Sequence, residues 1–253
     1  MRILRREEMK QKIFAASDIH GYYTELMKAL AAAGFDKENE NHIFVSCGDL
    51  FDRGSENIKV YDFVKSLKRK ILIKGNHEDM LSRILKEGNI THTDISNGTD
   101  ITVAEFFGED SIDSQGNFET AAHAEKIGEM TAFLDSMINY YETEQYVFTH
   151  GWLPIVFDGR YPQINPSWKN VPDSEWEEEV HLLEWQQLYD AKALLEGKII
   201  VCGHRPARLG NMFDDCREPD CSEPFYGKGM IAIDAGTMRS GRVNVLVVEE
   251  SKN

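Results

Sequence analysis

The stretch His42-Ile43-Phe44-Val45-Ser46-Cys47-Gly48-Asp49-Leu50-Phe51-Asp52-Arg53-Gly54 joins an apolar run to a loop of polar, chemically reactive residues. The apolar run is typical of a buried β-strand. Gly48 allows close backbone approach, and the carboxylate of Asp49 can bridge two cations because each oxygen can bind a different ion. Arg53 carries a planar guanidinium that matches phosphate oxygens. The stretch therefore predicts a strand that ends in a metal and phosphate site.

The same order of strand, reactive block and helix occurs on both sides of this stretch. An apolar run at 13–16 precedes Asp18-Ile19-His20-Gly21, and another at 71–73 precedes Gly75-Asn76-His77-Glu78. A helical pattern follows each block, and the first of these helices is expected to end at Gly34. Repeated strand–helix units indicate an α/β fold with parallel strands. In such sheets ligands bind beyond the carboxyl ends of the strands, where all three blocks fall.

The rest of the chain is expected to complete a single domain over residues 1–253. A polar segment at about 87–128 is interpreted as an inserted cap or lid without a core of its own, with a short helix at 103–107. A helix at 130–141, a loop-rich excursion at 154–180 and a helix near 181–196 are also predicted. Strands at 146–148 and 198–202 lead into His150 and His204, and strands at 230–234 and 243–248 are expected to form a closing hairpin.

Besides Asp49, residues of types that bind metals follow four other predicted strands. Asp18 and His20 are two apart, so on an extended strand end both side chains point the same way. An oxygen and an imidazole nitrogen suit Mn, Fe or Zn. Asn76 offers a neutral oxygen, and His150 and His204 each lie beside a glycine at a strand end. Together they would complete a second metal shell.

His77 lies directly beside Asn76, and adjacent side chains diverge. One of the two can therefore bind metal while the other faces the substrate. An imidazole suits proton donation near neutral pH. A carboxylate such as that of Asp52 could fix its tautomer and raise its pKa. Glu78 is interpreted as structural, with its charge in the first turn of a helix.

Taken together, these blocks resemble the calcineurin-like metallophosphoesterases over about residues 13–206. More narrowly they resemble the phosphoprotein phosphatase family, including its bacterial members and the symmetrical dinucleoside tetraphosphate hydrolases. The resemblance implies an α/β fold built as a four-layer α-β-β-α sandwich with mixed β-sheets. It also implies two divalent metal ions, which we expect to be manganese, with iron or zinc as alternatives.

The resemblance assigns roles to matching positions of this chain. One ion would be held by Asp18, His20 and Asp49, and the other by Asp49, Asn76, His150 and His204. The remaining roles would be those of a proton donor, its supporting carboxylate and a phosphate clamp, carried by His77, Asp52 and Arg53 respectively.

One feature departs from many bacterial relatives, which carry a Trp-x-Arg that supplies a second phosphate arginine. The corresponding stretch here is Trp185-Gln186-Gln187. Arg205, which follows a predicted metal ligand, is our candidate for substrate binding in its place, and Arg160 is an alternative. The departure leaves the substrate class open.

The composition of the chain argues against some classes of binding partner. The chain of 253 residues has a formal net charge of -15 and lacks an evident basic face, which argues against a nucleic-acid partner. No apolar run approaches the ~20 residues of a membrane span, and no signal peptide is recognisable. Cys47 and Cys202 are expected to be buried thiols. Cys216 and Cys221 could cross-link or bind metal, but reduced thiols in a solvated loop are favoured. We expect a cytoplasmic protein.

The predicted function is one-step hydrolysis of a phosphoester by a metal-bridging hydroxide. The leading substrate is phosphoserine or phosphothreonine in a protein. An alternative is the phosphoanhydride of a dinucleoside polyphosphate, so that the partner is a phosphorylated protein or a small phosphorylated metabolite or nucleotide. Two other possibilities are a binding module that has lost catalysis and a phosphodiesterase of the wider superfamily. The first should lack metal ligands or the proton donor, and for the second the Asp52-Arg53 pair would be unusual.

Overall fold

The computed structural model describes residues 10–159, 161–174, 176, 195–213 and 221–251. Its strands are β1 Lys10–Ala16, β2 His42–Cys47, β3 Lys70–Ile73, β4 Tyr140–Glu142, β5 Tyr146–Thr149, β6 Ile155–Asp158, β7 Tyr161–Ile164, β8 Ile199–Cys202, β9 Phe225–Gly227, β10 Met230–Ala232 and β11 Leu246–Ser251. Its α-helices are α1 Tyr23–Ala33, α2 Asn57–Ser66, α3 Asn76–Glu87, α4 His92–Asn97, α5 Thr99–Phe107, α6 Ala124–Asp135, α7 Ala207–Phe213 and α8 Thr237–Ser240. Short 3-10 helices lie at Glu109–Ser111, Thr120–His123 and Trp168–Asn170.

Nine of the described strands form two mixed sheets, and β6 and β7 form a separate two-stranded sheet. The first has the order β11-β1-β2-β3, in which β1, β2 and β3 are parallel and β11 runs antiparallel to β1. The second has the order β4-β5-β8-β10-β9, with parallel β5, β8 and β10 between antiparallel edge strands. The predicted α/β class with mixed sheets is confirmed.

The two sheets pack face to face through apolar side chains on their inner faces. Successive side chains of a strand point to opposite faces, so every second residue contributes to this interface. Along β1, Ile13 and Ala15 join a buried cluster with Phe148 and Val201 of the second sheet. Phe14 points the other way and packs with the helices on the outer face. This period-two alternation is what a strand buried on both faces requires. It places the carboxyl ends of the parallel strands of both sheets close to one another.

Several predicted elements are found with their expected limits. The helix after the first block, α1, ends at Gly34, whose φ of 78° is left-handed and closes the helix. The third block begins α3, which starts at Asn76 directly after Gly75. Among the described helices, none combines the length and the apolar character needed to cross a bilayer.

The predicted closing hairpin is wrong. β10 pairs with β8 and β9 in the second sheet, whereas β11 pairs with β1 in the first. The apolar runs were recognised correctly, but α8 separates the two strands and sends them to different sheets. The last two strands are neighbours in sequence, but they belong to different sheets and do not pair with each other.

Two further predictions are corrected within the central part of the chain. The helix at 130–141 ends at Asp135, and Tyr140–Glu142 forms an edge strand because it pairs with β5. The loop-rich excursion at 154–180 contains the hairpin of β6 and β7. The helix predicted near 181–196 lies almost entirely outside the described residues.

The cysteines differ from one another. Cys47 and Cys202 are buried free thiols, as predicted. Cys221 is 3% exposed and disulfide-bonded, which corrects the expectation of a reduced thiol in a solvated loop. That expectation rested on the polarity of the neighbouring sequence, whereas Cys221 itself is buried. Cys216 lies outside the described residues.

Candidate metal centre

Five sequence blocks, spread over nearly two hundred residues, meet where the two sheets adjoin. Asp18, Asp49 and Asn76 follow the parallel strands β1, β2 and β3, while His150 and His204 follow β5 and β8. Since the carboxyl ends of parallel strands lie at one edge, this topology brings the side chains together.

Asp49 lies at the centre of the group. Its Oδ2 is 3.4 Å from Nε2 of His150, 3.7 Å from Nε2 of His20 and 3.9 Å from Nε2 of His77. The donor atoms form two sets, each within 4.8 Å: His20 with Asp49 and His77, and Asp49 with His150 and His204. One carboxylate is therefore shared by two potential metal sites.

Asp18 and Asn76 complete the surroundings of Asp49. The Oδ1 of Asp18 is 3.8 Å from Nε2 of His20, and the Oδ1 of Asn76 is 3.1 Å from Nε2 of His150. The rings of His150 and His204 are 5.0 Å apart between centroids. All six predicted metal ligands thus lie in one group, and their binding of metal stays a prediction.

Backbone carbonyls orient two of the imidazoles. Nδ1 of His20 is 2.9 Å from the carbonyl of Phe51, and Nδ1 of His150 is 2.8 Å from that of Cys47. A carbonyl accepts, so Nδ1 carries the proton in both rings and Nε2 faces Asp49. Metal-binding histidines commonly have this support. Nε2 of His20 is buried without a hydrogen-bond partner among the described residues, as expected of an atom that awaits a ligand.

The buried charges perturb one another strongly. Burial lowers the pKa of His20 to about 3, so this ring is neutral. Burial also disfavours the charged form of His150, but the charge and hydrogen bond of Asp49, the charge of Asp18 and the carbonyl of Cys47 together raise the pKa of His150 to about 10. Burial raises the pKa of Asp18, and the charge of Asp49 adds to this effect. A divalent cation would offset the repulsion between these two carboxylates.

Backbone strain is concentrated in these blocks. Among the described residues other than glycine, positive φ angles of 51° to 76° occur only at Asp18, His20, Asp49, Asp52, Arg53 and His204. Each such residue costs about 1–3 kcal/mol, and such strain typically clusters at functional sites. All six belong to the residues that the sequence analysis selected.

Two glycines let the loops approach closely. A Cβ on Gly48 would lie 2.5 Å from Nδ1 of His150, and one on Gly75 would collide with the carboxylate of Asp49. Any side chain at either position would displace a predicted ligand. The glycines are therefore required by the convergence of the blocks.

His77 and Asp52 form a buried pair beside the cluster. Nδ1 of His77 is 2.6 Å from Oδ2 of Asp52, while Nε2 of His77 is 3.2 Å from Nη2 of Arg53. Burial disfavours the charged imidazole, but Asp49 and Asp52 outweigh it and raise the pKa of His77. Nη2 of Arg53 donates to Nε2 of His77, so this edge of the ring and the guanidinium reach the same place.

Two threonines outside the predicted site residues hold Asp52. The hydroxyl of Thr99 donates to Oδ2 of Asp52 at 2.7 Å, and that of Thr102 donates to Oδ1 at 2.6 Å. Both side chains are fully buried on α5. Their separation of three residues on one helical face was the signal available in the sequence.

Glu78 also does more than its sequence position indicates. Its carboxylate accepts hydrogen bonds from the backbone N–H groups of Asp49, Leu50 and Gly75 at 2.8–2.9 Å. Burial, with the charge of Asp49, raises the pKa of Glu78 to about 7. Glu78 thereby ties the second block to the third, which agrees with a structural role.

The segment at about 87–128 packs against the main core. Val103, Phe106 and Phe107 of α5 join the cluster formed with the outer face of the first sheet. Glu105 accepts a hydrogen bond of 2.9 Å from the backbone N–H of Asn57 at the start of α2. A lid function for this segment stays a prediction, whereas its contacts place α5 as a support beneath the second block.

Arg205 follows His204 and is half-buried, with its backbone N–H donating to the carbonyl of Gly203 at 2.6 Å. Its predicted contact with substrate stays a prediction. Arg160 and the stretch at 185–187 lie outside the described residues.

Parts of this chain are similar in sequence to known proteins. Residues 11–230 match the family described as calcineurin-like phosphoesterase. An asymmetrical bis(5'-nucleosyl)-tetraphosphatase of Bacillus subtilis is 34% identical over 98 residues, which are 35% of this chain and 39% of that protein. Serine/threonine-protein phosphatase 1 of Salmonella typhimurium is 34% identical over 86 residues, which are 31% of this chain and 38% of that protein. The matches thus span about two fifths of these relatives.

A solved structure shares the fold over a longer stretch. The cold-active protein-tyrosine phosphatase of a psychrophilic Shewanella superposes with a TM-score of 0.51 at 15% identity, covering 94% of this chain and 75% of that one. At this identity the likeness concerns the fold alone. The family match, by contrast, extends over most of the sequence and includes every block of the candidate metal centre. The chain therefore belongs to the calcineurin-like phosphoesterases, a family of hydrolases that act on phosphoric ester bonds.

Proposed function

We propose that this chain hydrolyses phosphoesters with the help of two divalent ions, both of which Asp49 would help to hold. The observation that carries the proposal is the position of this carboxylate, whose oxygen belongs to both sets of donor atoms. Nε2 of His20 has no hydrogen-bond partner in the part of the chain that the structure describes. This nitrogen and the mixed oxygen and nitrogen donors support the fit of such ions. Manganese is our first candidate, with iron and zinc as alternatives.

The holders of the ions would be those that the family resemblance assigns. Asp18, His20 and Asp49 would bind one ion, while Asn76, His150 and His204 would bind the other together with Asp49. When bound, such ions supply an activated water and positive charge for the phosphoryl oxygens.

Arg53 and His77 would act on the substrate directly. The guanidinium of Arg53 would bind equatorial phosphoryl oxygens through paired N–H groups. Nε2 of His77 accepts a hydrogen bond of 3.2 Å from Nη2 of Arg53, so the two groups border the same place. With Arg53 turned to the phosphate, this nitrogen would carry a proton and donate it to the departing oxygen.

Asp52 would hold His77 in the required tautomer. Its Oδ2 accepts a hydrogen bond from the Nδ1–H group of His77. Nε2 is then the nitrogen that would exchange the catalytic proton. The hydroxyls of Thr99 and Thr102 occupy both carboxylate oxygens and fix the carboxylate plane. Preorganised groups of this kind need no rearrangement during the reaction.

The residues of the candidate metal centre are compatible with two substrate classes. The first is phosphoserine or phosphothreonine in a protein, as sequence analysis favoured. The second is a dinucleoside polyphosphate, favoured by the similarity to the tetraphosphatase of Bacillus subtilis. A binding module without catalysis is disfavoured because all predicted ligands and the proton donor lie together. A phosphodiesterase would make no evident use of the Asp52–His77 pair.

A substrate panel tests the proposal. The purified protein, supplied with Mn, Fe or Zn, would be assayed on a phosphoserine peptide, on diadenosine tetraphosphate and on 4-nitrophenyl phosphate. We expect hydrolysis of at least one, with loss of activity on chelation and recovery on readdition of metal. Failure on all three with every metal would contradict the proposal.

A cytoplasmic location stays a prediction.

A further inference from the structure

A cavity of about 870 Å³ opens beside the candidate active site. Arg53 lines it, together with residues of α7 and α8 that include Arg208, Leu209, Met238 and Arg239. Its size lies within the roughly 300–1,000 Å³ typical of small-molecule sites. Because Arg53 borders both places, a substrate whose phosphate contacts Arg53 could extend directly into this cavity.

The cavity is basic in a strongly acidic protein. Arg208 and Arg239 join Arg53 in its wall, although the chain carries a formal net charge of -15. Within the described ranges, neither Arg208 nor Arg239 has an ion-pair partner, and Arg208 is only partly exposed. Guanidinium groups held together in this way favour an anion between them.

Apolar side chains complete the lining. Met238 is 67% exposed and Leu209 is 38% exposed, although both belong to residue types that usually lie inside. A thioether and a branched aliphatic chain provide an adaptable surface for a flat apolar group. The cavity therefore combines anion binding with apolar contact.

The helices that form the walls are fixed to the candidate metal centre. The hydroxyl of Thr237 donates to the carbonyl of Asp18 at 2.6 Å, at the start of α8. The backbone N–H groups of Gly236 and Ala207 donate to the side chain and the carbonyl of Asp234 at 2.6 and 2.8 Å. The cavity is thus held at a defined position relative to the reacting phosphate.

We propose that this cavity binds the leaving group of the substrate, and that this group is a nucleoside phosphate. Arg208 and Arg239 bind a phosphate beyond the one that is attacked, while the base packs on Leu209 and Met238. The inference rests on the proposed function and selects the second of its two substrate classes.

The combination of surfaces favours a nucleotide over a peptide. A phosphoserine leaving group is a small alkoxide that needs neither a second anion site nor an apolar wall close to Arg53. A nucleoside phosphate carries both kinds of group, joined by a short linker. Acidic residues flanking a phosphoserine are the competing occupant, and the test includes them.

The first test compares substrates in the metal-loaded enzyme. Arg208→Gln should lower kcat/KM for diadenosine tetraphosphate about 10-fold or more relative to kcat/KM for 4-nitrophenyl phosphate, because a charge-assisted hydrogen bond is lost. Arg239→Gln, being more exposed, should lower this ratio about 3-fold. An unchanged ratio in both variants would overturn the proposal. So would a matching loss for a peptide with acidic flanking residues but not for the nucleotide.

The second test does not depend on catalysis. Calorimetric titration of the metal-free protein with ADP should show that Arg208→Gln weakens binding at least about 3-fold. Arg242→Gln, which removes the same charge from an arginine outside this cavity, should match the wild type. Equal ADP affinities of the wild type and Arg208→Gln would contradict the pocket. If the wild type binds ADP through Arg208 but hydrolyses no phosphoester, the proposed function fails while the pocket stands.

Discussion

The cluster around Asp49 and the pair of His77 with Asp52 lie side by side but are built differently. The cluster draws residues from the ends of five parallel strands in two sheets, so sheet topology positions it. The pair depends on two successive blocks and on α5, whose threonines hold the carboxylate. The comparison indicates that metal binding and proton donation can be disturbed separately.

The largest effect should follow from removing the shared carboxylate. Asp49→Asn is expected to lower activity by more than the roughly 10–100-fold typical of residues that merely support a metal ligand. Metal content should fall with it, because Asp49 belongs to both sets of donor atoms. Metal analysis and a 4-nitrophenyl phosphate assay would measure both, with the exposed Asp62→Asn as a control. Full metal content in Asp49→Asn would contradict its bridging position.

Removing the proton donor should lower activity without loss of metal. His77→Asn is expected to reduce kcat on a poor leaving group such as phosphoserine by about 10²–10⁴-fold. The loss should shrink for 4-nitrophenyl phosphate, whose leaving group needs little protonation. The exposed His92→Asn serves as the control. Loss of one metal ion from His77→Asn would instead make this ring a ligand, as its place in a donor set with His20 and Asp49 allows.

A smaller effect is expected from the threonines beneath the pair. Thr102→Val removes a hydroxyl that donates to Asp52 at 2.6 Å, so kcat for phosphoserine should fall about 10-fold. Thr102→Ser retains the hydroxyl and should therefore retain most of the wild-type kcat for phosphoserine. Because the change acts through His77, 4-nitrophenyl phosphate should be affected less. Equal losses on both substrates would show a general structural effect instead.

The last effect changes metal affinity and not turnover, and it concerns protons released on metal binding. Burial disfavours the charged ring of His150, but Asp49, Asp18 and the carbonyl of Cys47 together raise its pKa to about 10 in the metal-free protein, so the ring is protonated at pH 7. Ligation requires the neutral ring, hence metal affinity should rise with pH below this pKa, by up to about tenfold per unit. His20, with a pKa of about 3, should release none. Titrations between pH 7 and 9 would reveal the trend, and an affinity independent of pH would contradict it.

Much of the fold and all six members of the cluster could be predicted because both depend on local patterns. Apolar runs marked the strands, and each block followed its strand directly, so the parallel topology brought Asp18 and His204 together. Gly34 likewise marked the end of α1 through its left-handed backbone.

The errors arose where long-range pairing decides the structure. The last two strands read as a hairpin, but only the pairing partners show that they belong to different sheets. Thr99 and Thr102 lie in a polar segment that resembled a surface insertion, and their burial depends on the packing of Phe106 against the main core. The spacing of the two threonines places them on one helical face but does not predict which residue that face contacts.

The most direct test of the central claim is a crystal structure of the protein with bound manganese, in which anomalous scattering locates the ions. We predict two peaks, on opposite sides of the Asp49 carboxylate, one facing His20 and the other facing His150 and His204. A single peak, or ions bound away from Asp49, would contradict a metal centre built on a shared carboxylate.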